Sequence, residues 1–113
     1  MEKITIIDEK FYGRLKSRGL TARQEHLFET LMKEVAINSF NDIHPSDYKQ
    51  TFLEIGFGNG EHITQMSRNY PDSLFIGCEP FVNGVASLLA KIDDQKIKNI
   101  RIYQSDARVL IKE

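Results

Sequence analysis

An α/β fold built on a parallel sheet is predicted for this chain of 113 residues, and three observations predict it. From Thr51 onward short apolar runs alternate with segments of helical period. Each of the three runs ends at or just before an acid. The segments between them are long enough to cross over and bring every strand back parallel to the last. The length allows one domain, and the apolar and charged fractions of 41% and 27% are those of an ordinary globular protein.

The first dozen residues carry one short apolar run, "ITII", and read as an extended arm. Thr21 with Gln24 matches a capping box, in which the two side chains satisfy backbone N–H groups at a helix start. A helix is therefore expected from about Ala22. Leu27, Phe28, Leu31, Met32 and Val35 give it one apolar face, and it is expected to run to about Phe40. "NDIHPSDYK" is a loop, with Pro45 opposing further helix. "TFLEIG" is the first strand, residues 61 to 69 a helix and "LFIGCE" the second strand, with "YPD" breaking the chain between the last two. Phe81, Val85, Leu88, Leu89 and Ile92 mark another amphipathic helix, "IRIYQ" is the third strand, and a further helix starts at about Ala107. The expected sheet order is 3-2-1. Residues 1–45 form a basic arm with an amphipathic helix, and residues 46–113 form the sheet-bearing part.

The net charge of −1 hides an asymmetry. Lys10, Arg14, Lys16, Arg18 and Arg23 fall in one stretch without an acid, leaving −6 for the remainder. Such a cluster suits phosphate contacts, although solvated basic arms are common. No apolar run approaches the roughly 20 residues that cross a bilayer, and the acids in "MEKITIIDEK" do not suit a signal peptide. A cytoplasmic location is expected. The single cysteine, Cys78, reads as a core thiol inside a strand. His26, His44 and His62 have no metal-ligand spacing, and His62 is expected in the first turn of a helix near the site.

In a sheet of this type ligands bind beyond the carboxyl ends of the strands. Glu54 stands there before Gly56, Gly58 and Gly60, Glu79 closes the second strand, and Asp106 follows the third. A single acid of this kind would be a helix cap; three at equivalent edges point to one ligand with several donor groups. A dinucleotide fingerprint needs a glycine where Glu61 stands, and the Glu54 carboxylate would repel a pyrophosphate. S-adenosylmethionine has the opposite demand. Its ammonium and sulfonium suit Glu54, its ribose hydroxyls suit Glu79, and its adenine amino group suits Asp106.

"FLEIGFGNGEH", "FIGCEPFVNGV" and "KNIRIYQSDA" closely resemble the three leading motifs of the S-adenosylmethionine-dependent tRNA (guanine-7) methyltransferases, and "GRLKSRGLTARQ" is similar to the segment before their core. The resemblance implies a Rossmann-like class I methyltransferase fold, truncated after the third strand and preceded by a helical extension. It implies methylation of ring nitrogen 7 of a guanosine in the tRNA variable loop. Glu54, Gly56, Gly58, Gly60, Glu79, Asp106 and Ala107 would then contact the cofactor, and Arg14, Lys16, Arg18 and Arg23 the tRNA, with no metal and no catalytic side chain in this chain. The family continues through a fourth strand and a "PDPW"-like segment, whereas this sequence has no tryptophan. It therefore resembles the N-terminal half, and the expected partners are tRNA and either the missing half or a second copy at the exposed sheet edge. The rival readings are a methyltransferase for another substrate class and a non-catalytic remnant or split-protein piece.

The basic arm generates a prediction. Replacing Arg14 and Arg18 by alanine should lower tRNA affinity and flatten its dependence on log salt by roughly 1 to 2 units of slope, because fewer counterions are released. Filter binding across a salt series checks it, and identical slopes would defeat it.

Overall fold

The computed structural model describes residues 19–112. The expected arm, with Lys10, Arg14, Lys16 and Arg18, lies outside the described residues.

The capping box forms as expected. Thr21 Oγ1 accepts from the Gln24 N–H at 3.1 Å, and Gln24 Oε1 accepts from the Thr21 N–H at 3.0 Å, starting α1 (Ala22–Glu29). The single helix expected to reach Phe40 is not what forms. Thr30 leaves helical geometry, with φ −118° and ψ −77°, and its hydroxyl donates to the His26 carbonyl at 2.8 Å. A hydroxyl competing for the carbonyl four residues back bends a helix. A second short helix, α2 (Leu31–Val35), follows and stops because Ala36 turns extended. Ala36 makes a parallel bridge to Ile102, and the Ile37 N–H donates to the Ile102 carbonyl at 2.9 Å. Pairing with the sheet replaces helical bonds there, and it buries Ile37 on the face of the sheet opposite Val35.

The strands β1 (Thr51–Ile55), β2 (Leu74–Cys78) and β3 (Ile100–Tyr103) form one parallel sheet with β2 in the centre, which is the expected 3-2-1 order. The helices α3 (Glu61–Asn69) and α4 (Val82–Gln95) connect them, and α5 (Ala107–Ile111) follows β3.

Alternation along the strands divides the core in two. Phe75, Ile100 and Ile102 pack with Leu27, Ile63, Leu88 and Ile92 beneath the long helices. Leu74, Ile76, Cys78 and Tyr103 point the other way and pack with Ile37, Ala107 and Leu110. Every residue of β2 is buried, whereas none of β1 is. Among the described residues β1 pairs with β2 alone, and Phe52, stacked on Phe75 with ring centroids 5.2 Å apart, remains 39% exposed. No helix among the described residues is long and apolar enough to cross a membrane.

One buried polar side chain ties the far end of this layer together. Asn99 Nδ2 donates to the carbonyls of Ser67, Tyr70 and Ser73 at 2.9, 3.1 and 2.9 Å, fixing the end of α3 and the turn into β2 against the start of β3. Asn99→Ala should therefore destabilise the protein by about 1–3 kcal/mol, because carbonyls that cannot all reach water lose their donor. Urea unfolding checks this as a lower midpoint with an unchanged slope; an unchanged midpoint would show that the clamp contributes nothing.

Candidate functional site at the carboxyl ends of the strands

The loop between β1 and α3 reverses the chain in five residues, and three of them, Gly56, Gly58 and Gly60, have positive φ of 69°, 61° and 89°. A side chain is disfavoured at each such angle, so the alternating glycines are what make this turn possible. The residue between the first two does the anchoring. Phe57 is buried and lies over Gly77 of β2, where an added Cβ would come within 2.6 Å of its ring. Gly77 thus leaves a flat place on the sheet into which the loop inserts an aromatic ring.

Polar contacts hold the rest of the loop. The Gly58 N–H donates to Glu79 Oε1 at 2.9 Å, and the Phe81 N–H donates to Glu79 Oε2 at 3.3 Å. Glu79 is only 5% exposed. A carboxylate this far from water needs such donors, since an uncompensated buried charge is costly. Lys91 Nζ, one helix face away, donates to the Asn59 carbonyl at 3.1 Å and to Ser87 Oγ at 2.9 Å. Gly84, in the first turn of α4, packs so closely that a Cβ there would lie 2.4 Å from the Gly58 carbonyl oxygen. Loop, strand end and helix start are one packed unit.

Glu54 lies on the helical face of β1, and its side chain is 21% exposed. Its Oε1 lies 2.6 Å from Nδ1 of His62, the second residue of α3, whose side chain is 72% exposed. Asp106 caps α5: its Oδ1 accepts from the Arg108 N–H at 2.9 Å, and both carboxylate oxygens accept from the Arg108 guanidinium. The hydrogen bonds from the Arg108 side chain, and then from its backbone, hold the Asp106 carboxyl below its ordinary range. Ala107 is buried behind it. Cys78 is a core thiol, as expected, and burial pushes it up to about 12, so no thiolate is available at neutral pH.

Glu54, Glu79 and Asp106 thus stand at or after the carboxyl ends of β1, β2 and β3, and the glycine loop joins the first of these ends to α3. Each acid also has a protein partner of its own, which spacing alone does not reveal. Asp106 is a helix cap as well as a strand-end acid. Arg23 stands apart from this edge, bridging Asp93 and Asp94 of α4 at 3.1 and 2.6 Å. Sequence reasoning missed Gly77, Gly84, Phe57 and Lys91. A glycine inside a strand is a recognised sign of close approach, so Gly77 carried a readable signal; Lys91 lies 32 residues from the carbonyl it holds and carried none.

Residues 48–113 match a family model described as "Putative methyltransferase". The chain is 44% identical over 104 residues to a tRNA (guanine-N(7)-)-methyltransferase of Caulobacter vibrioides, covering 88% of this chain and 46% of that protein. It is 40% identical over 108 residues to the enzyme of the same name from Zymomonas mobilis subsp. mobilis, covering 92% and 47%. The corresponding figures for Brucella anthropi are 39% over 109 residues, 89% and 46%. The chain spans about half the length of these curated relatives. A solved structure titled "Structure of an antibiotic related Methyltransferase" superposes with a TM-score of 0.49 at 17% identity, over 83% of this chain and 41% of that one.

The close approach of α4 to the loop is testable. Gly84→Ala should destabilise the protein by roughly 1–3 kcal/mol, because the backbone oxygen it meets cannot swing aside as a side chain would. Thermal unfolding checks it. A melting temperature equal to that of the unaltered protein would mean that the loop has room to move.

Proposed function

Because this chain belongs to the methyltransferase family that its residues 48–113 match, we propose that it supplies the cofactor-binding half of an enzyme. That enzyme methylates ring nitrogen 7 of a guanosine in the variable loop of tRNA, with S-adenosylmethionine as the donor. The observation that carries this reading is the gathering of Glu54, Glu79 and the positive-φ glycine loop at the carboxyl edge of one parallel sheet, with Asp106 following its third strand.

The donor set fits the cofactor. Carboxylates repel phosphate and attract an ammonium or a sulfonium. The loop backbone is approachable at Gly58, which is exposed and where a Cβ would meet nothing within 4 Å. When bound, S-adenosylmethionine supplies a methyl group activated by the positive sulfur. In this reading Glu54 attracts the amino-acid end, Glu79 accepts from the ribose hydroxyls and Asp106 accepts from the adenine amino group. A carboxylate offers about four acceptor positions, and two backbone N–H groups donate to Glu79. Those backbone bonds also hold the carboxylate in one orientation before a ligand arrives. Gly56, Gly58 and Ala107 contribute close backbone approach, whereas Gly60 is buried and its missing side chain makes room for Leu88.

Guanine nitrogen 7 already carries a lone pair in the plane of the ring, so no strong base is required for attack. The protein's contribution is orientation, worth several kcal/mol when reacting atoms are held in line. The printed names of the relatives support tRNA as the substrate. Arg14, Lys16 and Arg18 are the residues proposed to meet its phosphates. Arg23 is less suited, since its guanidinium is already paired with two aspartates of α4. Segments outside this sequence would complete the pocket beside β1 and position the base.

Transfer of labelled methyl groups from S-adenosylmethionine to tRNA by the full-length protein, followed by nucleoside digestion, tests the proposal. The expected product is 7-methylguanosine from the variable loop; label appearing only in another nucleoside, or in protein, would overturn it. Glu79→Ala should weaken cofactor binding by about 1–3 kcal/mol, since a charged acceptor is lost from the ligand and from the loop together. Calorimetric titration showing unchanged affinity would remove Glu79 from the site.

A further inference from the structure

We propose that His62 is a proton-operated competitor at the cofactor site: its imidazolium shares the Glu54 carboxylate with the cationic amino-acid end of the ligand, so protonation of His62 weakens cofactor binding. This inference rests on the reading of Glu54 given above and adds a regulating group to it.

The geometry carries the argument. An imidazole nitrogen 2.6 Å from a carboxylate oxygen requires a hydrogen between them, and an ionised carboxylate has none to give, so Nδ1 of His62 is the donor to Glu54 Oε1. The ring therefore has two states that preserve this contact, neutral with the hydrogen on Nδ1 and cationic with hydrogens on both nitrogens. The His62 side chain is 72% exposed, which gives water ready access for the second proton. Histidine is the side chain that changes charge between about pH 5 and 8. A neutral ring leaves Glu54 with its full negative charge for an incoming cation, whereas an imidazolium at hydrogen-bond distance cancels much of it and repels a second cation directly.

The surrounding charges leave Glu54 as the decisive partner. On α3 the neighbouring charge is Glu61, the helix's first residue. From the sheet, the residue opposite Glu54 on β2 is Gly77, which carries no charge. Glu79, beyond the end of β2, is turned toward the Gly58 and Phe81 N–H groups, and Lys91 of α4 is held on the Asn59 carbonyl and Ser87. Binding to the charged form then proceeds with release of the extra imidazole proton to solvent, and the sign follows: affinity is full where the ring is neutral and falls with pH as the ring becomes charged.

Calorimetric titration of the full-length protein with S-adenosylmethionine at pH 7.0 and 5.5, in buffers of different ionisation enthalpy, tests this. If an imidazolium excludes the ligand, affinity should fall several-fold between the two. At pH 5.5 binding should also release protons, seen as an enthalpy that depends on the buffer. His62→Asn retains an N–H donor for Glu54 but cannot become charged; its affinity at pH 5.5 should match that of the unaltered protein at pH 7.0, with no proton release. Equal pH dependence in both proteins would overturn the competitor and leave the reading of the site standing. A uniform loss of affinity at both pH values in His62→Asn would likewise overturn it, making His62 a positioning residue for Glu54. Failure of every protein to bind, or a Glu54→Gln variant that binds as tightly as the unaltered one at pH 7.0, would overturn the reading of the site and the competitor with it.

Discussion

The hydrogen bond from the Gly58 N–H to the buried carboxylate of Glu79 is the constraint on which the candidate site depends. It joins two segments 21 residues apart and makes each the solution to the other's problem. The loop has backbone donors that no helix or strand satisfies, and the carboxylate has a negative charge that burial penalises. Once they are paired, the first turn of α4 can approach the loop only if residue 84 has no side chain. One polar contact therefore links the placement of the glycines, the start of a helix and the orientation of a buried acid.

Packing sets the stage for that contact. The central strand β2 is buried along its whole length, and its register with β1 and β3 is held on both faces by apolar layers. A slip of one residue would move Leu74, Ile76 and Cys78 to the helical face and lift Gly77 away from Phe57, so the pattern of sizes along β2 resists it strongly. With the register fixed, the carboxyl ends of all three strands arrive at one edge. The two connecting helices anchor there through Ile63, Val85 and Leu88, which are fully buried. The rigidity of the site is a consequence of the core below it.

The three strand-end acids are not equivalent once their partners are known. Glu79 is buried and held by backbone donors, Glu54 faces a histidine that can change charge, and Asp106 is bound by an arginine whose side chain is 78% exposed. An exposed ion pair of this last kind contributes little to stability, so its rearrangement toward a ligand costs little. In the function proposed, the buried acid held by backbone donors is the one assigned to the ribose hydroxyls, and the acid paired with Arg108 is the one assigned to the adenine amino group.

Local chemistry in the sequence determined a good deal of this protein. The Thr21–Gln24 cap, the strands beginning at Thr51, Leu74 and Ile100, the helix over residues 61–69, the parallel order and the position of the three acids all follow from periodicity, capping and the rule that links alternating strands and helices to one sheet. These features depend on residues within a few positions of one another, so they can be read along the chain. Tertiary structure decided the rest. The helix after Thr21 breaks at Thr30 and stops at Val35 because Ile37 finds a strand 65 residues further on, and a backbone bond to Ile102 outweighs the local preference to remain helical. Glu79 holds Gly58, Glu54 meets His62, Arg23 pairs with Asp93 and Asp94, and Lys91 reaches Asn59, because charges and hydrogen-bonding groups choose partners by distance in space. Periodicity carries information about which face a residue takes; it carries none about which distant group will stand opposite it.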